Sequence, residues 1–182
     1  MAETLEFFIN ADASDQWFGD GSNTEYHIAQ SFSLAAAKTI TAVEIKEGGA
    51  VSGTPTGNWT IRIETESASK PSGTLADANA SIVVAPPGLS TTVKGSFATP
   101  FALSASTNYW VVVHCDNQGT NVRWNMRCQT PSQSTVGIVA YSANGTWTTA
   151  STYDMWLKVY TLVEATGNPM YAYKQQQQLF QG

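Results

Sequence analysis

Charged residues are scarce in this chain of 182 residues. They make up 13% of the sequence, against about 25% in average soluble proteins, and hydroxyl and amide side chains take their place. The net charge is −5, and Lys and Arg never form a run. A nucleic-acid partner requires a basic surface that neutralises phosphates, so the sequence predicts no such partner.

Long apolar runs are missing as well. The N-terminus, MAETLEFFINADASDQ, has neither the basic region nor the apolar stretch of a secretory signal. No segment approaches the roughly 18 apolar residues of a membrane span. We therefore expect no membrane partner, and a protein that is cytosolic, a processed fragment, or exported without a signal.

Residues with catalytic chemistry are few. The chain has two cysteines and two histidines, and it contains no C-x-x-C, H-E-x-x-H or G-x-S-x-G motif. We expect a protein that is not an enzyme. A carboxylate pair for glycoside cleavage stays open as an alternative, because distances in space are invisible in a sequence.

The sequence is rich instead in apolar residues at every second position. The segment NWTIRIETE places Trp59, Ile61 and Ile63 on one face of a strand, and TITAVEIK and YDMWLKVY repeat the pattern. About ten such strands are separated by turn signals such as Asn144-Gly145. This pattern predicts an all-β fold, an antiparallel β-sandwich of jelly-roll type.

The strands predict a sandwich domain at residues 25–162, flanked by irregular arms at residues 1–24 and 163–182. The C-terminal arm is rich in glutamine. Apolar side chains on the arms would be buried against partner subunits, which predicts a homo-oligomer or a larger assembly. The arm residues expected to make these contacts are Phe7, Phe8, Tyr171, Tyr173, Leu179 and Phe180.

Both cysteines lie in the segment YWVVVHCDNQGTNVRWNMRC, residues 109–128. A turn at NQGT predicts an antiparallel hairpin whose alternate residues share one buried face. His114 and Cys115 then point to opposite faces and form no catalytic pair. Cys115 and Cys128 would lie roughly 20 Å apart along the ladder, which predicts two free, buried thiols.

An acidic segment near the N-terminus is a candidate calcium site. Calcium binds six to eight oxygen ligands, and NADASDQWFGDGSNTE supplies carboxylates, hydroxyls and amides. The alternative is a solvated acidic loop with Asx turns. We expect no cofactor beyond this Ca²⁺ candidate, whose carboxylates are Asp12, Asp15, Asp20 and Glu25.

Several aromatic residues are candidates for stacking on a sugar. The alternative for the same residues is a subunit interface or a second packed sheet, where aromatic side chains are also enriched. The alternation of YDMWLKVY places two of them on an outer face. The candidates for contact with a sugar or a partner are Trp17, Phe18, Trp110, Trp156 and Tyr160.

Segments spread over the chain, including QSFSL (30–34), PSGTLA (71–76), FATPFALSASTNYWVVV (97–113) and DMWLKVY (154–160), together resemble a jelly-roll-type sandwich module. Such modules occur in head-decoration, tail and fibre proteins of tailed phages, and in choice-of-anchor bacterial surface proteins. The matching residues mark the fold. The resemblance implies no common active site.

The resemblance implies a structural protein of a tailed-phage virion, either a capsid decoration protein or a tail or fibre component. Its location would be the virion, and its partners would be the major capsid protein or neighbouring copies. Two alternatives stay open: a carbohydrate-binding adhesion module, and a bacterial extracellular fibre or surface-layer subunit. A concave groove with paired Trp and Tyr residues would favour the adhesion module.

Overall fold

The computed structural model describes residues 2–10, 13–20, 25–115, 123–129, 139–143 and 145–163. Strands and turns make up these residues, and none of them is helical, so the predicted all-β class is confirmed. The described strands are β1 (Glu3–Ile9), β2 (Ser14–Asp20), β3 (Glu25–Ser33), β4 (Lys38–Lys46), β5 (Trp59–Ser67), β6 (Lys70–Leu75), β7 (Ser81–Val84), β8 (Thr92–Leu103), β9 (Asn108–Cys115), β10 (Arg123–Gln129), β11 (Val139–Ala143), β12 (Thr146–Ala150), β13 (Asp154–Met155) and β14 (Leu157–Leu162).

Two antiparallel sheets form the sandwich. The smaller sheet has the order β1-β14-β4-β8. The larger sheet follows the path β13-β10-β2-β3-β9-β5-β6, with β11 added to β3, β12 added to β11, and β7 added to β5. Apolar side chains of both sheets meet in one core, in which Val43 and Val159 from the small sheet are buried together with Ile61 and Val113 from the large sheet.

The alternation in the sequence determines which side chains enter this core. On β5, Trp59, Ile61 and Ile63 are fully buried, whereas Thr60 and Arg62 between them are only partly buried. Successive side chains of a strand point to opposite faces, so an every-second-residue pattern buries one face. The predicted inner faces of β4 and β14 are buried in the same way.

Strand β9 is an exception, because it is buried on both faces. Val111 and Val113 enter the main core, while Trp110 and Val112 belong to a second apolar cluster on the opposite side of the sheet. A strand buried on both faces occupies the interior of a sheet, where neighbours cover it from each direction. Trp147 of β12 packs against this second cluster.

The predicted hairpin between residues 109 and 128 is wrong. β9 pairs with β3 and β5, and β10 pairs with β2 and β13. The edges of β9 are occupied by β3 and β5, and two strands, β3 and β2, lie between β9 and β10 in the sheet. The predicted inner faces are nevertheless buried in the core, at Val111 and Val113 in β9 and at Trp124 and Met126 in β10.

Both cysteines are free and buried, as predicted. Trp124 donates a hydrogen bond from Nε1 to the sulfur of Cys115 at 3.1 Å, which joins the inner faces of β10 and β9. Burial raises the pKa of the Cys128 thiol, with smaller contributions from Asp15 and Asp154. A thiol that stays protonated is a poor nucleophile and a poor metal ligand, so Cys128 acts as a small apolar core residue.

The N-terminal segment differs from the expected irregular arm. β1 pairs with β14 at the border of the small sheet, and β2 lies between β10 and β3 in the large one. The ring of Phe7 lies 5.7 Å from that of Phe32 and packs on the core. Of the expected C-terminal arm only Val163 is described, so the candidates Tyr171, Tyr173, Leu179 and Phe180 lie outside the described residues.

The two sheets approach closely where β7 crosses β8. A Cβ atom built on Gly95 of β8 would lie 2.1 Å from Cδ1 of Ile82 in β7, and 3.1 Å from Cγ1 of Val84. Glycine in the middle of a strand often marks such a close approach. The missing side chain therefore allows Ile82 to lie against the backbone of the small sheet.

We expect Gly95→Ala to destabilise the protein by about 1–3 kcal/mol, because the added methyl group overpacks the contact with Ile82. The variant Ile82→Val removes the clashing Cδ1 atom, so the cost of Gly95→Ala should fall in that background. Urea unfolding of the four proteins of this double-mutant cycle measures the coupling.

A matched control is Gly49→Ala, whose Cβ would meet atoms only at 3.6 Å and beyond. Its effect should be small. If the costs of Gly95→Ala and Ile82→Val simply add to within about 0.5 kcal/mol, the two residues are not in the contact described.

Candidate functional site

A row of side chains crosses the outer face of the small sheet. Phe8 of β1 lies opposite Lys158 of β14, Lys158 lies opposite Glu44 of β4, and Glu44 lies opposite Lys94 of β8. Tyr160, two residues from Lys158 on β14, lies on the same face. Four strands thus contribute two aromatic, two basic and one acidic side chain to a continuous surface. We call this surface the outer face.

The polar groups of the outer face bind one another. Glu44 accepts a hydrogen bond from the Tyr160 hydroxyl, and Lys158 Nζ lies 3.5 Å from the same carboxylate oxygen. Lys94 Nζ lies 3.9 Å from the centre of the Tyr160 ring and forms an ion pair with Glu3. The cations and carboxylates are equal in number here, so the face is close to neutral although the chain is acidic.

These contacts shift the pKa values of the groups involved. Burial raises the pKa of Glu44, but the hydrogen bonds from Tyr160 and Thr92 and the charge of Lys158 outweigh burial and lower it overall. Burial and the hydrogen bond to Glu44 raise the pKa of Tyr160 to about 12. Glu44 is therefore charged and Tyr160 neutral at physiological pH.

The aromatic part of the outer face lies toward β1. The rings of Phe8 and Trp156 meet edge to face, with centres 5.6 Å apart, and Lys158 Nζ lies 4.8 Å from the Trp156 ring. Trp156 is only 6% exposed, whereas Phe8 and Leu5 are each 45% exposed. The accessible apolar surface is therefore supplied by β1, and Trp156 supports it from below.

The structure separates the five aromatic candidates named from the sequence. Trp156, the residue before β14, and Tyr160 within β14 both lie on the outer face, as the alternation of YDMWLKVY predicts. Phe18 is fully buried in the main core, where its ring meets Trp59 at 5.3 Å. Trp110 is fully buried in the second cluster. The backbone of Trp17 pairs within β2, and its side chain lies outside the described residues.

The four calcium candidates do not form one described cluster. Asp15 accepts a hydrogen bond from the Gly49 amide at 3.0 Å and pairs with Arg127 at 3.0 Å. Asp20 and Glu25 pair through their backbones between β2 and β3, and their side chains, like the whole of Asp12, lie outside the described residues. Among the residues that are described, no three His, Cys, Asp or Glu side chains could hold a metal ion together.

One functional group that was not among the candidates is the carboxyl of Glu47. This residue is fully buried, and its Oε2 atom accepts a hydrogen bond from the Gly88 amide at 3.0 Å. Its Oε1 atom is buried without a hydrogen bond to any described residue, and burial raises its pKa to about 7. The alternation of β4 already indicated the position, since Glu47 follows Val43 and Ile45 on the inner face.

Comparison with known proteins assigns the chain to no family. No family model matches the chain, and no curated protein sequence matches it. Within the described part of the chain, no helix is long and apolar enough to cross a membrane.

We expect Glu44→Gln to reduce stability at neutral pH by about 1–2 kcal/mol, because hydrogen bonds to a charged acceptor are lost. The folded state lowers the pKa of Glu44, so its contribution is present above the ordinary value of 4.5 and is lost as the pH falls. The drop in stability on acidification should therefore be smaller in Glu44→Gln. Urea unfolding at neutral and acidic pH measures both effects. A control is Glu6→Gln in β1, whose carboxylate lies 3.7 Å from Lys38 and accepts no hydrogen bond from another described residue. Equal changes in the two variants would contradict a specific role for Glu44.

Glu47 should change the pH dependence of stability in the opposite direction to Glu44. Its pKa is raised from 4.5 to about 7 in the folded state, so its contribution to stability is fully present below 4.5 and is lost as the pH rises to about 7. The loss is on the order of 3 kcal/mol, at about 1.4 kcal/mol per pKa unit. Glu47→Gln removes the titrating group, so the variant should not share this loss. Its free energy of unfolding should therefore rise relative to that of the wild type as the pH increases. A constant difference across this range would show that Glu47 does not titrate as described.

Proposed function

We propose that this protein is a non-enzymatic structural subunit of a tailed-phage virion, a capsid decoration protein or a tail or fibre component. Its contact surface would be the outer face of the small sheet, and its partner there a second copy of the chain. The resemblance of its sandwich segments to phage modules supports the virion setting. The exposed pair Leu5 and Phe8 supports the contact surface.

Leu5 and Phe8 are the observation on which the proposal rests. Both are large apolar residues, each 45% exposed, and they lie on the same face of β1 because a bulge separates Leu5 from Phe7. A single exposed apolar residue is normal on a protein surface. Two of them on one face, with Leu5 opposite Tyr160 and Phe8 against the Trp156 ring, form a patch of the kind found at the centre of subunit interfaces.

The charges around this patch are already paired. Lys94 binds Glu3, Lys158 binds Glu44, and Lys38 lies 3.7 Å from Glu6. Removing such pairs from water at an interface leaves no charge without a counter-charge, which limits the cost of burial. A near-neutral surface with an apolar border suits another protein better than a strongly charged ligand.

The geometry of β1 favours contact through the face of the sheet. β1 is an edge strand of the small sheet within the described residues, and its Leu5 and Phe8 side chains are exposed to a partner. The bulge in β1 bends the strand, and bulges hinder edge-to-edge pairing between sheets. The partner would accordingly pack on Leu5 and Phe8 and not extend the sheet.

A carbohydrate-binding module is the second candidate, and Phe8 is the observation that favours it. Its exposed ring lies beside Lys158 and near Glu44, and aromatic rings flanked by hydrogen-bonding groups are suited to sugars. Glu44 and Lys158 are bound to each other, which reduces their capacity for a ligand. Trp156 offers little surface for stacking at 6% exposure.

We expect the full chain to self-associate in solution, and the double variant Leu5→Ser/Phe8→Ser to shift it to the monomer. Light scattering after size exclusion measures the native mass of each protein over a concentration series. A matched control is Val83→Ser/Leu89→Ser, because these residues are 60% and 52% exposed but lie outside the small sheet. The control should associate like the wild type.

Each result bears on one part of the proposal. A wild-type protein that is monomeric at every concentration contradicts contact between copies. Association that persists in the Leu5/Phe8 variant contradicts the surface. A glycan array that binds the wild type but not a Phe8→Ala variant would replace the structural function with the adhesion function.

A further inference from the structure

The only two histidines of the chain lie side by side. His27 belongs to β3 and His114 to β9, and these strands pair so that Ile28 lies opposite Val113. The next residues in that antiparallel register, His27 and His114, are therefore directly opposite each other. Their ring centres are 4.8 Å apart with the rings at 65°.

Hydroxyl groups continue this row on either side. Ser142 of β11 lies opposite His27, and Thr60 of β5 lies opposite His114. Ser142 is only 1% exposed, and its Oγ atom is buried without a hydrogen bond to any of the described residues. An oxygen of this kind beside two imidazoles is suited to hold a ligand or a water molecule.

The surroundings of the pair combine partial burial with an apolar border. Both histidines are partly exposed, on the same side of the sheet as the second apolar cluster. The Trp147 ring lies 6.1 Å from that of His27. Apolar neighbours strengthen the attraction between an ion and its ligands, and partial exposure leaves room for water on the ion.

We propose that His27 and His114 form a binding site for a divalent transition-metal ion, of which Zn²⁺ is the probe. Neutral imidazole is a preferred ligand of zinc, nickel and copper, whereas calcium and magnesium prefer oxygen ligands. Two cross-strand imidazoles supply two positions of a tetrahedral zinc ion, and water supplies the others. Ser142 Oγ is placed to hydrogen-bond a metal-bound water.

Bound metal would connect two central strands of the large sheet. β3 and β9 are neighbours in sheet order but 87 positions separate the two histidines in the sequence. An ion that binds the folded chain and not the unfolded one stabilises the fold in proportion to its concentration. The site is independent of the outer face of the small sheet, because it lies on the other sheet.

The test is a calorimetric titration of the metal-free full chain with Zn²⁺. We expect one ion per chain, and a loss of affinity of at least about tenfold in each of His27→Gln and His114→Gln. Ni²⁺ should quench the fluorescence of nearby Trp147. The control Trp147→Phe should keep the heat of Zn²⁺ binding and lose part of the Ni²⁺ quenching.

Proton NMR of the wild type provides a measurement that needs no variant. With two histidines in the chain, the ring signals of both should shift together and saturate at one equivalent of Zn²⁺. Absence of heat and of any shift would overturn the proposal. The proposal would also be overturned if both glutamine variants bound Zn²⁺ as tightly as the wild type and had the same melting temperature in EDTA.

Discussion

Burial of both faces of β9 is the constraint on which the rest of the fold depends. Its segment YWVVV is apolar at every position, so neither face is stable in water. One face, with Val111 and Val113, is covered by the small sheet. The other, with Trp110 and Val112, is covered by the second cluster around Ala29, Ala140 and Trp147. Each buried valine or larger side chain contributes about 1.5–3 kcal/mol to stability. Exposing either face would therefore remove a large part of the free energy of unfolding of a typical domain.

This requirement places β9 between β3 and β5 and thereby creates the polar contacts of the large sheet. Gln30 of β3 is fully buried opposite Val111, and its Oε1 atom accepts a hydrogen bond from the Met155 amide at 2.7 Å. Glu64 of β5, buried opposite Trp110, accepts one from the Gly73 amide at 2.7 Å. A buried polar group is stable only when it has such partners, and here the neighbouring strands supply them.

Alternation in the sequence was sufficient to predict the class of fold and the inner faces of β4, β5 and β14, because those properties depend on local periodicity. It could not predict the partners of β9, which depend on what covers the second face. β2 was interpreted as part of an irregular, acidic arm, since the segment NADASDQWFGDGSNTE is rich in Asp and Asn. It is a strand because it pairs with β10 and β3.

At the candidate site, local periodicity again predicts which face a residue lies on but not which neighbours cover it. Alternation placed Trp156 and Tyr160 on an outer face, and the structure has them there. Trp156 is only 6% exposed because Ile9, Phe8 and Lys158 pack on it, and a single strand's sequence does not show these neighbours. Similarly, no spacing in the sequence connects His27 with His114, because only the register of β3 against β9 brings them together.

The chain has few charged residues, and most of those on the small sheet form ion pairs. Glu47, which follows β4, is the exception. Glu44 is held charged by Tyr160, Thr92 and Lys158, whereas the described residues give Glu47 only the Gly88 amide as a partner, and burial raises its pKa to about 7. Acid therefore weakens the contacts of Glu44 on the outer face of the small sheet, whereas a rise in pH toward 7 weakens the fold at Glu47, the residue that follows β4. The Glu44 contribution is lost as the pH falls below 4.5, and the Glu47 contribution is lost as the pH rises from 4.5 to about 7, so the two together stabilise the fold most near pH 4.5.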